Sequence, residues 1–340
     1  MGYQIKQISR ADLPDIQKLY QEIYAELPHL IKEADELEWL YTDPHHGSDF
    51  LGYIAHTPDQ EIAGIISYSL NPYKFGDHEY KGVIPVSWMI APAHRGLLGI
   101  QLLKKVMKEG DFGFAIQGSK EAQQSYKVAK LKYVGAANIY TKVLKPLAYI
   151  RSQKGFSFKS FLKTCYYLGR KRGLPGKSEM RLEPGLDSLG IHHSPVTHLA
   201  MVPDAGRNSW LKACPLVELL SYTVFHRGKE KGPALCYISN TKGIKRGRIV
   251  HIPYMGDETE SYQQTIRLLE KELTARGCCS VNALAMQSAS RRAFLLQGYK
   301  TRRNAQRNLY VSDPGNLLDG VDLNQWYLTY YESDKGYRGI

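Results

Sequence analysis

The chain has 340 residues, which is more than one ordinary α/β domain holds and enough for two domains with separate cores. Its 43% hydrophobic and 23% charged residues exclude a largely disordered chain. No apolar run approaches the about 20 residues of a membrane-spanning helix, and the N-terminus shows neither a signal-peptide core nor a myristoylation motif. We therefore expect a cytoplasmic protein.

The five cysteines are odd in number, and no two have the spacing of a metal site. Cys278 and Cys279 are adjacent, which also argues against a disulfide framework. We expect reduced thiols or small core residues, and no metal.

The net charge of +12 is divided unevenly along the chain. Residues 1–150 carry 16 basic and 17 acidic residues, whereas residues 151–340 carry 29 and 16. The excess is densest over 151–181, where nine basic residues accompany one acid, Glu179. This asymmetry favours an anionic partner: a nucleotide-linked sugar, an acidic polysaccharide, an anionic lipid or a nucleic acid.

Hydrophobic periodicity predicts ten elements in the first 150 residues: a strand, two helices, three strands, then helix, strand, helix and strand. The predicted strands are 5–8, 50–56, 62–70, 82–90, 112–116 and 137–144, and the predicted helices are 11–24, 30–41, 97–108 and 120–131.

Residues 151–181 are predicted to be a basic linker that contains one amphipathic helix over 158–168. Apolar side chains recur there at helical spacing, at Phe158, Phe161, Leu162, Cys165 and Tyr166. Such a helix is either a brace between domains or a helix that lies on an anionic membrane surface.

A second domain is predicted over 182–340. Its predicted elements are strands 234–239 and 248–255, helix 258–276, strand 280–286, helix 288–296 and strand 308–312. Gly277 is the expected C-cap of the long helix. This order repeats the second half of the first domain.

One turn in the first domain is typical of a phosphate-binding loop. A predicted strand ends at Ile90, Ala91-Pro92 follows, and Arg95-Gly96 precedes a helix. The N–H groups at a helix N-terminus bind phosphate well, and glycine lets a ligand approach the backbone closely.

These residues resemble the signature of the GNAT superfamily of acyl-CoA N-acyltransferases. Ile90-Ala91-Pro92 matches the Val-x-Pro strand end, and Arg95-Gly96 matches the start of the glycine loop. The resemblance covers about residues 3–148, but the later loop glycines fall on Leu98 and Ile100, with a glycine at Gly99 instead.

The resemblance implies direct acyl transfer from acetyl-CoA or another acyl-CoA to an amine. Coenzyme A would enter between the strand ending at Ile90 and strand 112–116, which separate. An N–H of Met89 or Ile90 would polarise the thioester carbonyl. The family's general-acid tyrosine falls on Val128, and Tyr126, two positions away, is the hydroxyl that could protonate the leaving thiolate instead. The residues implied to contact the cosubstrate are Met89, Ile90, Arg95, Gly96, Leu97, Leu98, Gly99 and Ile100. The family's glutamate base is missing, with Ser87 and Trp88 in its place.

The implied fold is α/β (α+β), with two GNAT-like domains, each a mixed, mostly antiparallel sheet flanked by helices. The first is complete, whereas the second lacks the phosphate loop, because acidic residues at Asp257 and Glu258 replace Arg-Gly. The whole chain is similar to bacterial tandem-domain members associated with surface-polysaccharide biosynthesis, which suggests an amino sugar or polysaccharide precursor as the acceptor. The tail Trp326-Tyr327 with Tyr330-Tyr331 either stacks on a sugar ring or is pinned at the domain interface.

Two other functions stay open at this point. The displaced glycines are compatible with a non-catalytic binding or scaffolding protein on the same fold. The basic second domain is compatible with a Fem-like transferase that uses aminoacyl-tRNA, although Arg95-Gly96 favours coenzyme A over nucleic acid. The adjacent histidines at 45–46 and 192–193 are interpreted as parts of solvated loops, and His94 as either a phosphate contact or a residue without a role in binding. Residues 242–248 are interpreted as the tip of a hairpin. Arg291-Arg292 and Arg302-Arg303 are interpreted as a basic face that binds the acceptor.

Overall fold

The computed structural model describes residues 2–26, 33–42, 50–151, 157–168, 180–185, 199–202, 205–241, 243–301, 306–319, 321–322 and 326–332. The helices in these ranges are α1 (Leu13–Ile23), α2 (Ala34–Tyr41), α3 (Leu97–Val106), α4 (Lys120–Val128), α5 (Pro146–Arg151), α6 (Phe158–Tyr167), α7 (Ala205–Lys212), α8 (Thr259–Ala275) and α9 (Ser288–Leu296). None of these helices is both long and apolar enough to cross a bilayer.

The strands in the same ranges form one mixed sheet. They are β1 (Gln4–Gln7), β2 (Gly52–His56), β3 (Ile62–Phe75), β4 (His78–Ile90), β5 (Phe112–Ile116), β6 (Lys132–Val143), β7 (Met180–Pro184), β8 (Leu199–Met201), β9 (Glu218–His226), β10 (Lys229–Thr241), β11 (Ile244–His251), β12 (Ser280–Ala285), β13 (Lys300–Thr301), β14 (Arg307–Ser312) and β15 (Trp326–Tyr327). The order across the sheet is β1-β2-β3-β4-β5-β14-β6-β12-β11-β10-β9-β7. The predicted α/β class, a mixed sheet flanked by helices, is confirmed.

Most elements with a strong hydrophobic periodicity were predicted close to their observed positions. Elements whose apolar pattern is interrupted by polar residues were missed or predicted too short. The bounds of β5 and α9 are those predicted, whereas β3 and β4 are longer and meet at a tight turn where Gly76 has φ of +63°. Polar Asn71 and Lys74 and the ring of Pro72 interrupt the apolar alternation there, which is why the end of β3 was missed. Strands β7, β8, β9, β13 and β15 and helices α5 and α7 were not predicted.

Two strands cross between the halves of the chain. Strand β14 lies between β5 and the first half of β6, with Leu309 opposite Ile116 on one side and Gly135 on the other. The second half of β6 in turn lies between β12 and β13, with Tyr140 opposite Ala283 and Thr301. Each half of the chain therefore completes the sheet of the other. The domain boundaries at 150 and 182 stay a prediction.

Alternation along the strands divides the core between the two faces of the sheet. In β5, Phe112 and Phe114 point into a core shared by α1, α2 and both halves of the chain. Ala115 of the same strand points into a second core that lies under α3 and α4. A third core lies under α8 and α9. The shared core joins the two halves into one packed body.

A buried ion pair reinforces the connection between the halves. The ammonium of Lys142 on β6 donates to both carboxylate oxygens of Glu270 on α8, at 2.8 and 2.9 Å, and to the carbonyl of Gln297 at 2.7 Å. The two side chains are only 5% and 3% exposed. The Lys142 ammonium also lies 5.4 Å from the ring centroid of Tyr299.

Candidate functional site

The first feature of the site is an opening between β4 and β5. The two parallel strands pair only at Gly82 with Phe112 and at Val83 with Gly113. From Ile84 to Ile90, β4 keeps its partner β3 but has no ladder to β5. The strands therefore separate toward their C-terminal ends, as the resemblance implied, and leave one edge of β4 open.

Two backbone N–H groups of β4 point to this open edge. The N–H of Ala91 donates to the carbonyl of Ala63 on the β3 side at 3.0 Å, and the N–H of Ser87 donates to Ser67 Oγ at 3.0 Å. Successive N–H groups of a strand alternate between its edges, so the N–H of Met89 also points to β3. The groups that point to the opening are those of Trp88 and Ile90. Of the two donors implied by the resemblance, the geometry thus favours Ile90 over Met89 and adds Trp88.

The second feature is the uncapped N-terminus of α3. A 3-10 turn over Pro92–His94 follows β4, Arg95 is extended, and Gly96 is the N-cap residue with φ of +125° and ψ of −122°. No side chain caps the helix, so the N–H groups of Leu97, Leu98 and Gly99 in its first turn have no intrahelical acceptor. Only glycine adopts the Gly96 conformation readily. The turn presents a row of N–H donors beside the opening, which suits an anionic ligand.

The loop side chains explain the displaced glycine. Leu98 is buried in the core under α3, Leu97 is 75% exposed, and Ile100 is half-buried. A Cβ on Gly99 would approach the indole of Trp88 to 3.1 Å. A side chain at Gly99 would thus press on the Trp88 ring, which favours glycine at this position. The donors of the loop are backbone N–H groups.

Charge at the open end is mixed. Helix α4 follows β5 as α3 follows β4, so the N-termini of both helices lie at the same end of the opening. The hydrogen bond with Ser119 and, more weakly, the charge of the exposed Arg95 lower the pKa of Glu121 in the first turn of α4. Arg95 is close enough to that turn to place its charge at the open end.

Tyr126 is a buried residue of α4 and lies in an aromatic stack with Trp88 of β4. Its ring packs between Trp88, at 5.9 Å between centroids, and Tyr310 of β14, at 5.1 Å. Its hydroxyl donates to the carbonyl of Gln117 at 2.9 Å. The buried Nε1 of Trp88 has no acceptor among the described residues.

The end of β5 is held in an unusual conformation. Gln117, which follows the strand, has φ of +58°, and its side chain accepts a hydrogen bond from Arg307. The N–H of Gln117 donates to the carbonyl of Asn308 at 2.6 Å. Two residues of β14 thus fix the strained residue that receives the Tyr126 hydroxyl.

A hydroxyl pair marks the bulge of β4. The register between β3 and β4 shifts between Ile66 and Tyr68, and Ser87 lies at this irregularity. Its hydroxyl is 2.7 Å from the hydroxyl of Tyr20 on α1, and both side chains are buried. Sequence reasoning noted Ser87 only as a replacement for the missing base. It named Trp88 in the same role but did not find Tyr20 or Tyr310 as neighbours of the site, because no local pattern brings these distant residues together.

The equivalent loop of the second half is partly held by hydrogen bonds from its own neighbours. Gln287 Nε2 donates to the carbonyl of Gly256 at 3.0 Å and to Asp257 Oδ1 at 3.2 Å. The N–H of Met255 donates to the hydroxyl of Tyr262 at 2.9 Å. Helix α8 also begins without a side-chain cap, but the acidic Asp257 and Glu258 stand directly before it, so this loop is poorly suited to phosphate. The absence of coenzyme A there stays a prediction.

The aromatic tail packs against the sheet instead of presenting its rings. Trp326 packs edge-on against Phe114, at 5.1 Å between centroids, and Tyr327 donates from its hydroxyl to the carbonyl of Ile252 at 2.5 Å. The rings at 326, 327, 330 and 331 are all buried. Stacking of these rings on a sugar is therefore wrong, and the tail is pinned between the two halves.

The other residues singled out in the sequence lie partly inside and partly outside the described ranges. His94 lies 3.3 Å from the hydroxyl of Tyr3, and Arg291 Nε donates to the hydroxyl of Tyr140 at 3.4 Å. The predicted positions that lie outside the described residues are 45–46, 192–193, 242 and 302–303. Within the described ranges, no group of three or more His, Cys, Asp and Glu side chains is arranged to hold a metal ion. Cys165 is exposed, and the other four cysteines are buried.

Comparison with solved structures identifies the fold. A GCN5-related N-acetyltransferase from Anabaena variabilis superposes with a TM-score of 0.58 at 12% identity, covering 91% of this chain and 72% of that one. Saccharomyces cerevisiae N-myristoyltransferase with bound myristoyl-CoA gives 0.57 at 11% identity, with 92% and 82% covered. A probable N-acyltransferase from Enterococcus faecalis gives 0.54 at 9% identity, with 92% and 72% covered.

These likenesses show that the chain has the fold of GCN5-related N-acetyltransferases and N-myristoyltransferase over most of its length. No protein-family model and no curated protein matches the sequence.

Proposed function

We propose that the protein is an acyl-CoA-dependent N-acyltransferase whose cosubstrate binds in the opening between β4 and β5. The observation that carries the proposal is the coincidence of two features at one end of the sheet. A strand edge with inward-pointing N–H groups adjoins a helix N-terminus with no side-chain cap. The fold neighbours include a structure with bound myristoyl-CoA, which supports an acyl-CoA at this fold.

Each part of the opening has a defined task in this proposal. The N–H groups of Leu97, Leu98 and Gly99, with Arg95, would bind the pyrophosphate of coenzyme A. The N–H groups of Trp88 and Ile90 would polarise the thioester carbonyl and stabilise the oxyanion that forms there.

The transfer itself forms a C–N bond and breaks a C–S bond. The neutral amine of the acceptor attacks the thioester carbonyl carbon, and the collapse of the tetrahedral intermediate expels the coenzyme A thiolate. In this proposal the Tyr126 hydroxyl leaves the Gln117 carbonyl, gives its proton to that thiolate and regains a proton from water. The amine loses its extra proton to water or a nearby base. Proximity supplies much of the rate when the amine is already neutral.

We propose acetyl-CoA as the cosubstrate and an amine on an amino sugar or polysaccharide precursor as the acceptor. The resemblance to surface-polysaccharide members and the basic second half of the chain support an anionic or nucleotide-linked acceptor.

Removing one N–H group from the donor row should weaken acyl-CoA binding without disturbing the helix. Proline is compatible with the first helical position but has no N–H, so Leu97→Pro should lower the affinity for acetyl-CoA about tenfold. Leu97→Ala keeps the N–H and serves as the matched control, because the exposed Leu97 contributes little to the core. Isothermal titration with acetyl-CoA and longer acyl-CoAs measures both variants.

The charge of Arg95 provides a second test at the same loop. Arg95→Ala should also lower the affinity about tenfold, whereas Asp257→Ala in the equivalent loop of the second half should leave it unchanged. Equal losses in the two loops would contradict a single site. No binding to the unmodified protein at millimolar acyl-CoA would refute the proposed function and favour a scaffold or an RNA-carrier enzyme.

The role of Tyr126 is tested by removing one oxygen atom. Tyr126→Phe keeps the stack with Trp88 and Tyr310, so substrate binding should persist while kcat falls about a hundredfold. Tyr133→Phe, at an exposed ring that also contacts Tyr310, is the control. An unchanged kcat in Tyr126→Phe would assign the proton to another donor.

A further inference from the structure

Helix α6 turns its apolar face outward. Phe158 is 74% exposed and Leu162 is 52% exposed, and Phe161, Cys165 and Tyr166 on the same face are exposed as well. At about 100° per residue, these five positions cover one continuous stripe of the helix. We name it the outer stripe: Phe158, Phe161, Leu162, Cys165 and Tyr166. The stripe is the reverse of what a helix packed on a protein core presents.

The opposite side of α6 attaches it to the sheet. Thr164 and Tyr167 are the buried residues of the helix, and Tyr167 joins a small core with Val143 of β6, Tyr149 of α5 and Cys279. At the edge of the outer stripe, the hydroxyl of Tyr166 also lies 3.5 Å from the carbonyl of Thr301 on β13. Phe158 and Leu162 are left as the most exposed apolar side chains of the stripe. Leu147 on α5 is also 74% exposed. The interpretation of α6 as a brace between domains therefore leaves its main apolar face unexplained.

The surroundings of the stripe are basic. Residues 145–168 contain five Lys and Arg and no Asp or Glu. Lys159 borders the outer stripe, and Lys145 and Arg151 flank α5, all three exposed. Exposed aromatic and aliphatic side chains bordered by cations are the pattern of a helix that binds at a lipid interface.

We propose that α6 binds the surface of a bilayer that contains anionic lipid, with the outer stripe inserted among the headgroups and Lys145, Arg151 and Lys159 on the lipid phosphates. A second copy of the chain is a poorer partner, because pairing two stripes would bring like charges together. The phosphates of a nucleic acid could bind the same cations, but the apolar side chains of the outer stripe would then remain exposed to water. The proposal is independent of the acyl-transfer chemistry.

Vesicle flotation of the full-length protein tests the surface. We expect binding to vesicles of phosphatidylcholine with 30% phosphatidylglycerol, about tenfold weaker binding to pure phosphatidylcholine, and loss of binding to the mixed vesicles in high salt. The double variant Phe158→Ser/Leu162→Ser should weaken binding to the mixed vesicles at least about tenfold. Leu295→Ser on α9, at another exposed leucine, is the matched control and should bind normally.

Cys165 offers a readout at the stripe itself, because it is the exposed cysteine among four buried ones. An environment-sensitive fluorophore on Cys165 should emit as in water in the free protein and shift to shorter wavelength with the mixed vesicles. The same label on Leu295→Cys in a Cys165→Ser background should not shift.

Three outcomes would overturn the proposal. The first is the failure of the protein to bind the mixed vesicles. The second is binding that Phe158→Ser/Leu162→Ser and Leu295→Ser alter equally. The third is an emission from the Cys165 label that already indicates an apolar environment without lipid. If the double variant Phe158→Ser/Leu162→Ser also converts a dimer to a monomer, the outer stripe is an interface between two copies of the chain.

Discussion

Replacing Glu270 with alanine is expected to lower the free energy of unfolding by about 3–5 kcal/mol, because it leaves the ammonium of Lys142 buried without its counter-charge. The carbonyl of Gln297 and the ring of Tyr299 remain near the ammonium, but neither carries a negative charge. Chemical denaturation of the two proteins at pH 7 measures the difference.

The controls separate the ion pair from a general effect of substitution. Lys142→Met/Glu270→Met removes both charges and keeps the volume, so it should regain most of the lost stability. Arg276→Ala breaks the exposed pair with Glu218, in which both side chains are nearly half exposed, and should cost less than about 1 kcal/mol. A loss below 1 kcal/mol in Glu270→Ala would show that water reaches the Lys142 ammonium.

The same ion pair also bears on whether the two halves unfold together. It joins β6 of the first half to α8 of the second, and β6 itself lies between β12 and β13. We therefore expect one cooperative transition for the whole chain. Two separate transitions would mean that the exchanged strands do not couple the halves.

The stability of the protein should fall between about pH 4.5 and pH 7 because of one carboxyl in the tail. Burial raises the pKa of Glu332 from 4.5 to about 7, although hydrogen bonds from Thr329 and the charge of Arg207 act in the opposite direction. In this window the folded protein holds a proton that the unfolded chain has released. Stability is therefore present below pH 4.5 and is lost as pH rises toward 7, by roughly 3 kcal/mol.

Glu332→Gln is the variant that isolates this contribution. Its amide oxygen can still accept from the N–H and hydroxyl of Thr329, which now donate at 2.9 and 2.8 Å. The stability difference between Glu332→Gln and the unmodified protein should grow in favour of the variant from pH 4.5 to 7 and then stay constant. A difference that does not vary with pH would show that folding leaves the pKa of Glu332 unchanged.

Arg207 provides an independent check on the same carboxyl. Its guanidinium donates to Asn71 Oδ1 and to the carbonyl of Tyr331, each at 2.6 Å, and so ties α7, β3 and the tail together. Removing its charge in Arg207→Met should raise the pKa of Glu332 further and move the loss of stability to higher pH. The pH dependence of unfolding in both variants would show whether the two groups interact.

Local patterns in the sequence determined the elements that carry the site. The run Phe112–Ile116, the helix start after Gly96 and the helix Ser288–Leu296 were predicted at the observed bounds, because each has strong periodicity with a clear boundary residue. The same patterns led to the loop at Arg95-Gly96 and to Tyr126. These features depend on contacts within a few residues.

Only the tertiary structure decided which distant elements complete the site. Tyr310, which packs on Tyr126, belongs to β14. Arg307, which contacts Gln117, is separated from it by 190 residues in the sequence. Periodicity shows that a strand has an apolar face but does not identify its partner, because strand pairing between distant segments leaves no local signal. The outward orientation of the α6 stripe was undecided for the same reason: an amphipathic pattern gives a helix two faces, and only packing determines which face is buried.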